Sequence, residues 1–389
     1  MLRVQLQPAR RGGAGVRRAG RRCGCRSGVM ADLLSSIWRD GPPARLTPRD
    51  WEVLLGQARR SRLLARLALE AASWPGELPT PQREYLQGGL RLVPRQRREV
   101  LSELSRMRDA LRDVQHPVVL LKGAAYLLAD LPPSRGRVFS DIDILVPRPA
   151  LDAVERSLQA AGWASQERDA YNQRYYRQWM HEVPPLEHVQ RGSVIDLHHT
   201  ISPPTSRFHV DGALLLQRAL PIAASGFHML APEDMVLHSA VHLYQEGEFD
   251  HGLRDLLDLH DLLQHFERET GFWPRLLARA AELRLSEPLT VLLEQRGRLL
   301  GAAAPAEHRA AVEALRPSWP VRATVSALLN RAMRPQHPAC DTWDSDLARR
   351  LLYIRSHRLR MPLRLLVPHL LRKAWMARWP DRPEAVPPA

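Results

Sequence analysis

The sequence predicts an α+β fold: a small mixed β-sheet core flanked by helical regions on its N- and C-terminal sides. Three observations lead there. Short apolar runs of strand length, VVLL at 118–121, IDILV at 142–146 and VIDLH at 194–198, are gathered into the middle of the chain. Apolar residues at helical spacing fill the stretches before and after them. Helix-opening signals, Thr47-Pro48 with Asp50 and Thr80-Pro81, punctuate the N-terminal part.

Taken in order, residues 1–31 carry eight arginines and no acid, a composition that cannot bury a core and reads as a disordered tail, with Met30 a candidate for the true start. Residues 32–115 read as helices. Thr47 caps one that runs through Leu55, and Val100, Leu101, Leu104, Met107, Leu111 and Val114 keep helical spacing up to the first strand. Residues 116–225 form the α/β core. Leu151 to Ala161, closed by Gly162, is an amphipathic helix after the second strand, and Arg191-Gly192 reads as a hairpin turn. Residues 226–300 are helical again, from Pro232 and from Leu253. Residues 301–389 form a C-terminal helical region with a basic amphipathic segment.

With 389 residues, 44% of them apolar, the chain can bury a large core, in two or three subdomains. The formal charge of +14 suggests polyanion binding until it is located. Eight arginines lie in 1–31 and nine Lys/Arg lie in 349–378, both without an acid, which leaves 32–348 close to neutral. Three cysteines give no disulfide framework, so a reducing, cytoplasmic setting is expected. No apolar run is long enough for a transmembrane helix.

The chemistry concentrates between Val118 and Val146. A strand ends at Lys122-Gly123 and a helical pattern follows over 124–130, which aims backbone N–H groups at a site suited to phosphate. Only two residues in the chain are lysine, Lys122 and Lys373, so a lysine beside that glycine stands out against an arginine-rich background. Asp141 and Asp143 alternate with Ile142 and Ile144, so both carboxylates point to one strand face. Two adjacent carboxylates repel each other unless a cation lies between them, and oxygen-only ligands favour a hard ion such as magnesium. Asp196 offers a third carboxylate, and His198 shares its face. Three strand-borne aspartates beside a phosphate turn point to phosphoryl or nucleotidyl transfer.

At LLKGAAYLL, the Arg-preceded SDIDILV, VIDLHH, and the helical PEDMVLHSAVHLY and LRDLLDLHDLL segments, the chain resembles a bacterial family of uncharacterised nucleotidyltransferases within the nucleotidyltransferase superfamily. The likeness spans roughly Leu101 to His265. It implies a nucleotidyltransferase core at 116–225, with Asp141, Asp143 and Asp196 as catalytic metal ligands, Mg2+ in a two-metal site, and NTP as substrate. Gly123 would stand at the phosphate-binding turn. The superfamily usually has Gly-Ser or Gly-Gly there. Here Ala124 follows Gly123, so no hydroxyl is offered and Lys122 supplies charge instead. Arg137 and Ser140 complete the nucleotide-binding set, with Arg135 a weaker candidate for neutralising the triphosphate.

The acceptor is an unspecified hydroxyl on RNA, protein, a sugar phosphate or a small molecule. Two other classes of function stay open: a non-catalytic nucleotide-binding or scaffold protein of the same fold, and an RNA-binding protein using its basic termini. Elsewhere, His238 and His242 have ligand spacing but lack the glutamate of a zinc motif, and read as structural. Asp258 matches an acid of the resembling family. Tyr171, Tyr175, Tyr176 and Trp179 could stack a base or simply pack. Arg349–Arg378 could touch an anionic membrane or RNA, or dock with its arginines outward.

Overall fold

The computed structural model describes residues 32–378 apart from 168, so the tail 1–31 with its Met30 start and the Pro-rich end 379–389 lie outside the described residues. Within them one mixed seven-stranded sheet is set among sixteen α-helices, which is the α+β arrangement expected. The strands are β1 (Val119–Leu120), β2 (Ile142–Leu145), β3 (Trp163–Ser165), β4 (Leu186–His188), β5 (Val194–His198), β6 (Leu220–Pro221) and β7 (His228–Met229). Their order across the sheet is β3-β4-β5-β2-β1-β7-β6.

Three central pairings make the site. β1 runs antiparallel to β2, and β2 runs parallel to β5. β4 and β5 form the hairpin expected at Arg191-Gly192, with Gly192 at φ +67°, where a side chain would be strained. The alternation read from IDIL is real. Ile142, Ile144, Ile195 and Leu197 are buried on one face, and the aspartates take the other. The helix Leu151–Ala160 returns the chain from β2 to β3, and Gly162 follows at φ +99° against the His188 ring, where a Cβ would come within 2.8 Å of Nε2.

The helical expectations hold with shifted boundaries. Thr47 and Asp50 exchange side-chain and backbone hydrogen bonds in a capping box, and the helix they open continues past Leu55 to Arg60 because Trp51, Leu54 and Ala58 keep one face buried. Thr80–Ala110 is one helix that carries Pro94 internally. The helices Pro232–Tyr244 and Gly252–Phe266 pack on each other, and the first also packs on Ser286–Leu300. Arg279 fixes the start of the Pro232–Tyr244 helix through a buried pair with Asp234 at 2.7 Å. Buried side chains from Leu34 to Leu359 form one continuous core.

The aromatic stretch near 171–179 is a helix, Ala170–Trp179. The basic segment is two helices, Trp343–Arg360 and Leu363–Arg378. Pro362 falls between them, whereas Pro368 lies inside the second. The second helix turns Leu366 and His369 inward, and its outer face exposes Leu363, Val367, Leu370 and Leu371. His369 stacks on Tyr175 at 4.4 Å and hydrogen-bonds the Tyr171 hydroxyl at 3.0 Å, so the segment docks on the body.

Candidate active site

The sheet register brings the three carboxylates together. In the parallel β2–β5 pair, Asp143 lies opposite Asp196, so their side chains share a face on adjacent strands. Asp141, two residues before Asp143, joins them. One oxygen from each lies within 4.8 Å of the others. One Asp196 oxygen, Oδ1, is buried with no hydrogen-bond partner, an acceptor that a cation would satisfy. The donor set therefore fits a hard divalent ion.

The repulsion anticipated between Asp141 and Asp143 falls elsewhere. Burial pushes the Asp143 carboxyl up, but the Lys122 ammonium and a 3.2 Å hydrogen bond with His198 outweigh it and hold Asp143 well below the usual carboxylate range. At Asp196 the His198 charge is outweighed. Burial, then the Glu182 and Asp143 carboxylates, push it up to about 8. The strain of crowding acids therefore collects on the third aspartate. For His198, burial works against the charged form, but the bond to Asp143 and the charge of Glu182 win and raise its pKa.

Lys122 reaches this face because β1 ends beside Asp143. The Leu121 N–H donates to the Asp143 carbonyl at 2.9 Å, and the chain leaves the strand at the next residue. Lys122 adopts φ +43°, a left-handed conformation that non-glycine residues seldom hold, and strain of this kind gathers at functional sites. Gly123 and Ala124 are buried in the seven-residue helix Lys122–Leu128. Neither lines the cleft, and a Cβ on Gly123 would meet Arg137 and Phe139 at 3.2 Å. The missing hydroxyl at 124 therefore points away from the chemistry. Ser140 donates to Asp141 Oδ1 at 2.6 Å and positions that carboxylate. Arg137 lines the cleft but is already paired with Asp258, beneath which burial and the neighbouring Arg254 lower its pKa. Arg135 is exposed and does not line the cleft.

The cleft holds about 260 Å³, at the small end for ligand sites. Its walls include residues the motifs did not announce. Glu182 and His181 precede β4, and Tyr175 and Tyr176 come from the aromatic helix. Arg254 and Asp255 pair at 2.7 Å on the Gly252–Phe266 helix, and Tyr353, Ser356, His357 and Arg360 come from near the C-terminus. The sequence singles out Tyr175 and Tyr176 as possible stacking faces and Asp258 as a family acid, with Asp255 one helical turn before it in LRDLLDLHDLL; the others carry no local signal. His242 lines the cleft beside His238, and burial, reinforced by Lys122, keeps both imidazoles neutral.

A family model described as "Uncharacterised nucleotidyltransferase" matches residues 47–301, well over half of the chain. No curated protein and no solved structure matches it.

Proposed function

Since the chain belongs to the family of uncharacterised nucleotidyltransferases, we propose that it transfers a nucleoside monophosphate from an NTP to an acceptor hydroxyl with magnesium bound by Asp141, Asp143 and Asp196. The observation that carries this reading is the register pairing of Asp143 with Asp196, with Asp141 beside them and Lys122 at the adjoining strand end. A divalent cation on these carboxylates supplies neutralising charge for the triphosphate and for the acids themselves.

The chain's own residues divide the remaining work. Lys122 faces the phosphates as a compact point charge. Ser140 keeps Asp141 oriented, and Gly123, without a side chain, lets the helix start pack closely beneath Arg137. Arg137 is tied to Asp258, so the pair fixes the wall in place and adds little net charge to it. Asp196, ionised once the cation is bound, has one oxygen without a protein partner and can take the proton of an acceptor hydroxyl. Tyr175 and Tyr176 offer ring faces to a base or an acceptor.

The test is incubation with each labelled NTP, magnesium and fractionated cell extract, beside an Asp143→Asn control. Label should enter one fraction with the parent chain and not with the control. Equal labelling by both would remove the carboxylate centre from the chemistry.

A further inference from the structure

Beside the aspartate trio lies a second cluster that nucleotidyl transfer does not use: His181, Glu182 and His198. The backbone builds it. Residues 181–183 run antiparallel to the end of β5, with the Val183 N–H donating to the Leu197 carbonyl and the His199 N–H to the His181 carbonyl, both at 3.0 Å. A single β-bridge sets Glu182 opposite His198. One ligand atom from each of the three side chains then lies within 4.8 Å of the others. The set is preorganised on paired backbone rather than on a loop tip.

Its chemistry differs from that of the trio. Two imidazoles and one carboxylate form the three-ligand set of open zinc sites, whereas three carboxylates suit magnesium. His198 Nε2 is 3.2 Å from Asp143 Oδ1, while its Nδ1 is buried and without a partner. Glu182 Oε2 lies 3.5 Å from that same His198 Nε2 and 3.9 Å from His181 Nε2, so the two Nε2 atoms are the ones that face the carboxylate. His181 Nδ1 is likewise buried and without a partner. Zinc–ligand bonds of about 2.1 Å put ligand atoms about 3.4 Å apart, so the cluster needs only a small inward rotation to close.

We infer that His181, Glu182 and His198 form a binding site for a borderline divalent cation such as zinc, separate in ligand chemistry from the aspartate trio and joined to it through the His198–Asp143 contact. Zinc binding does not depend on transfer activity, so it is read with the metal alone.

The experiment strips the full chain with a chelator, titrates it with Zn2+ by calorimetry, and records zinc-edge X-ray absorption at one equivalent. One tight equivalent with two imidazole ligands is expected. His181→Gln should lose one imidazole and weaken binding by tenfold or more, while Asp141→Asn should keep both. Circular dichroism and melting confirm that the variants fold, and the absorption spectrum of the unaltered chain decides the matter if they do not. Zinc bound without imidazole, or bound equally well by His181→Gln, overturns the site and leaves the nucleotide reading untouched.

Discussion

At the scale of single residues, Lys122 joins a scarce side chain to a strained backbone. Glycine relieves the left-handed φ of +43° but removes the charge, and alanine removes the charge while keeping the strain. Both variants should therefore weaken NTP binding similarly, whereas Lys122→Gly should be more stable than Lys122→Ala by about 1 kcal/mol, with a correspondingly higher melting temperature. Lys122→Arg should hold an intermediate affinity. Binding titrations with melting curves separate the two effects, and parent-like NTP binding by all three variants would take Lys122 out of the site. Asp196 makes a prediction of opposite character. Its carboxyl rises from 3.8 to about 8 on folding, so the unfolded chain ionises first as pH increases. Stability of the metal-free protein should fall between about pH 4 and pH 8 and then level off. Asp196→Asn should flatten that slope and melt higher than the parent at pH 8 in chelator, yet lose transfer by on the order of a hundredfold. An unchanged slope in the variant would assign it to another group. Asp143→Asn should instead lower metal-free stability, since Lys122 and His198 already stabilise that charge. Alternation in SDIDILV was enough to put Asp141 and Asp143 on one face. Which acid carries the repulsion was not legible, because it depends on Glu182, and nothing in the local pattern of HEVPP marks that residue.

At the scale of elements, strands and helix starts were legible wherever local chemistry sets them. The Thr47 capping box and the β4–β5 hairpin at Gly192 rest on contacts within a few residues, and Pro232 marks its helix start by its fixed φ. Helix ends were not, since tertiary burial of Ala58 carries one helix past Leu55. Long-range partners were hidden for the same reason. Arg137 read as a free cation, but the Gly252–Phe266 helix brings Asp258 against it, with the pair about nine-tenths buried. Removing one member of such a pair strands the other, at a cost of about 3–5 kcal/mol. Asp258→Ala should therefore lower the melting temperature by many degrees, and Arg137→Met combined with Asp258→Leu should recover most of the loss. If the single variant melts like the parent, the pair does not hold this helix to the sheet.

At the scale of the whole molecule, the family match ends at residue 301, but the folded unit does not. Ala348, Leu352 and Leu359 of the Trp343–Arg360 helix belong to or pack on the buried interior, and Arg355 covers the Tyr244 ring at 4.1 Å while donating to its carbonyl. Each exposed leucine would cost about 1.5–3 kcal/mol, against a total stability of about 5–15 kcal/mol. A chain ending at 301 should fail to melt cooperatively by calorimetry, and a sharp, parent-like transition would show that the C-terminal helices are an appendage. Composition foresaw a basic C-terminal segment. It could not foresee that the first of that segment's two helices walls the cleft, because Tyr353, His357 and Arg360 carry no motif.

That wall has a genetic consequence. The aspartates and the lysine are encoded upstream of codon 301, and Tyr353, Ser356, His357 and Arg360 downstream of it. Recombination between those stretches would exchange one side of the cleft and preserve the other. Lineages sharing the same carboxylates would then diverge in the opposite wall of the cleft by swapping a terminal cassette, with no change at the aspartate codons.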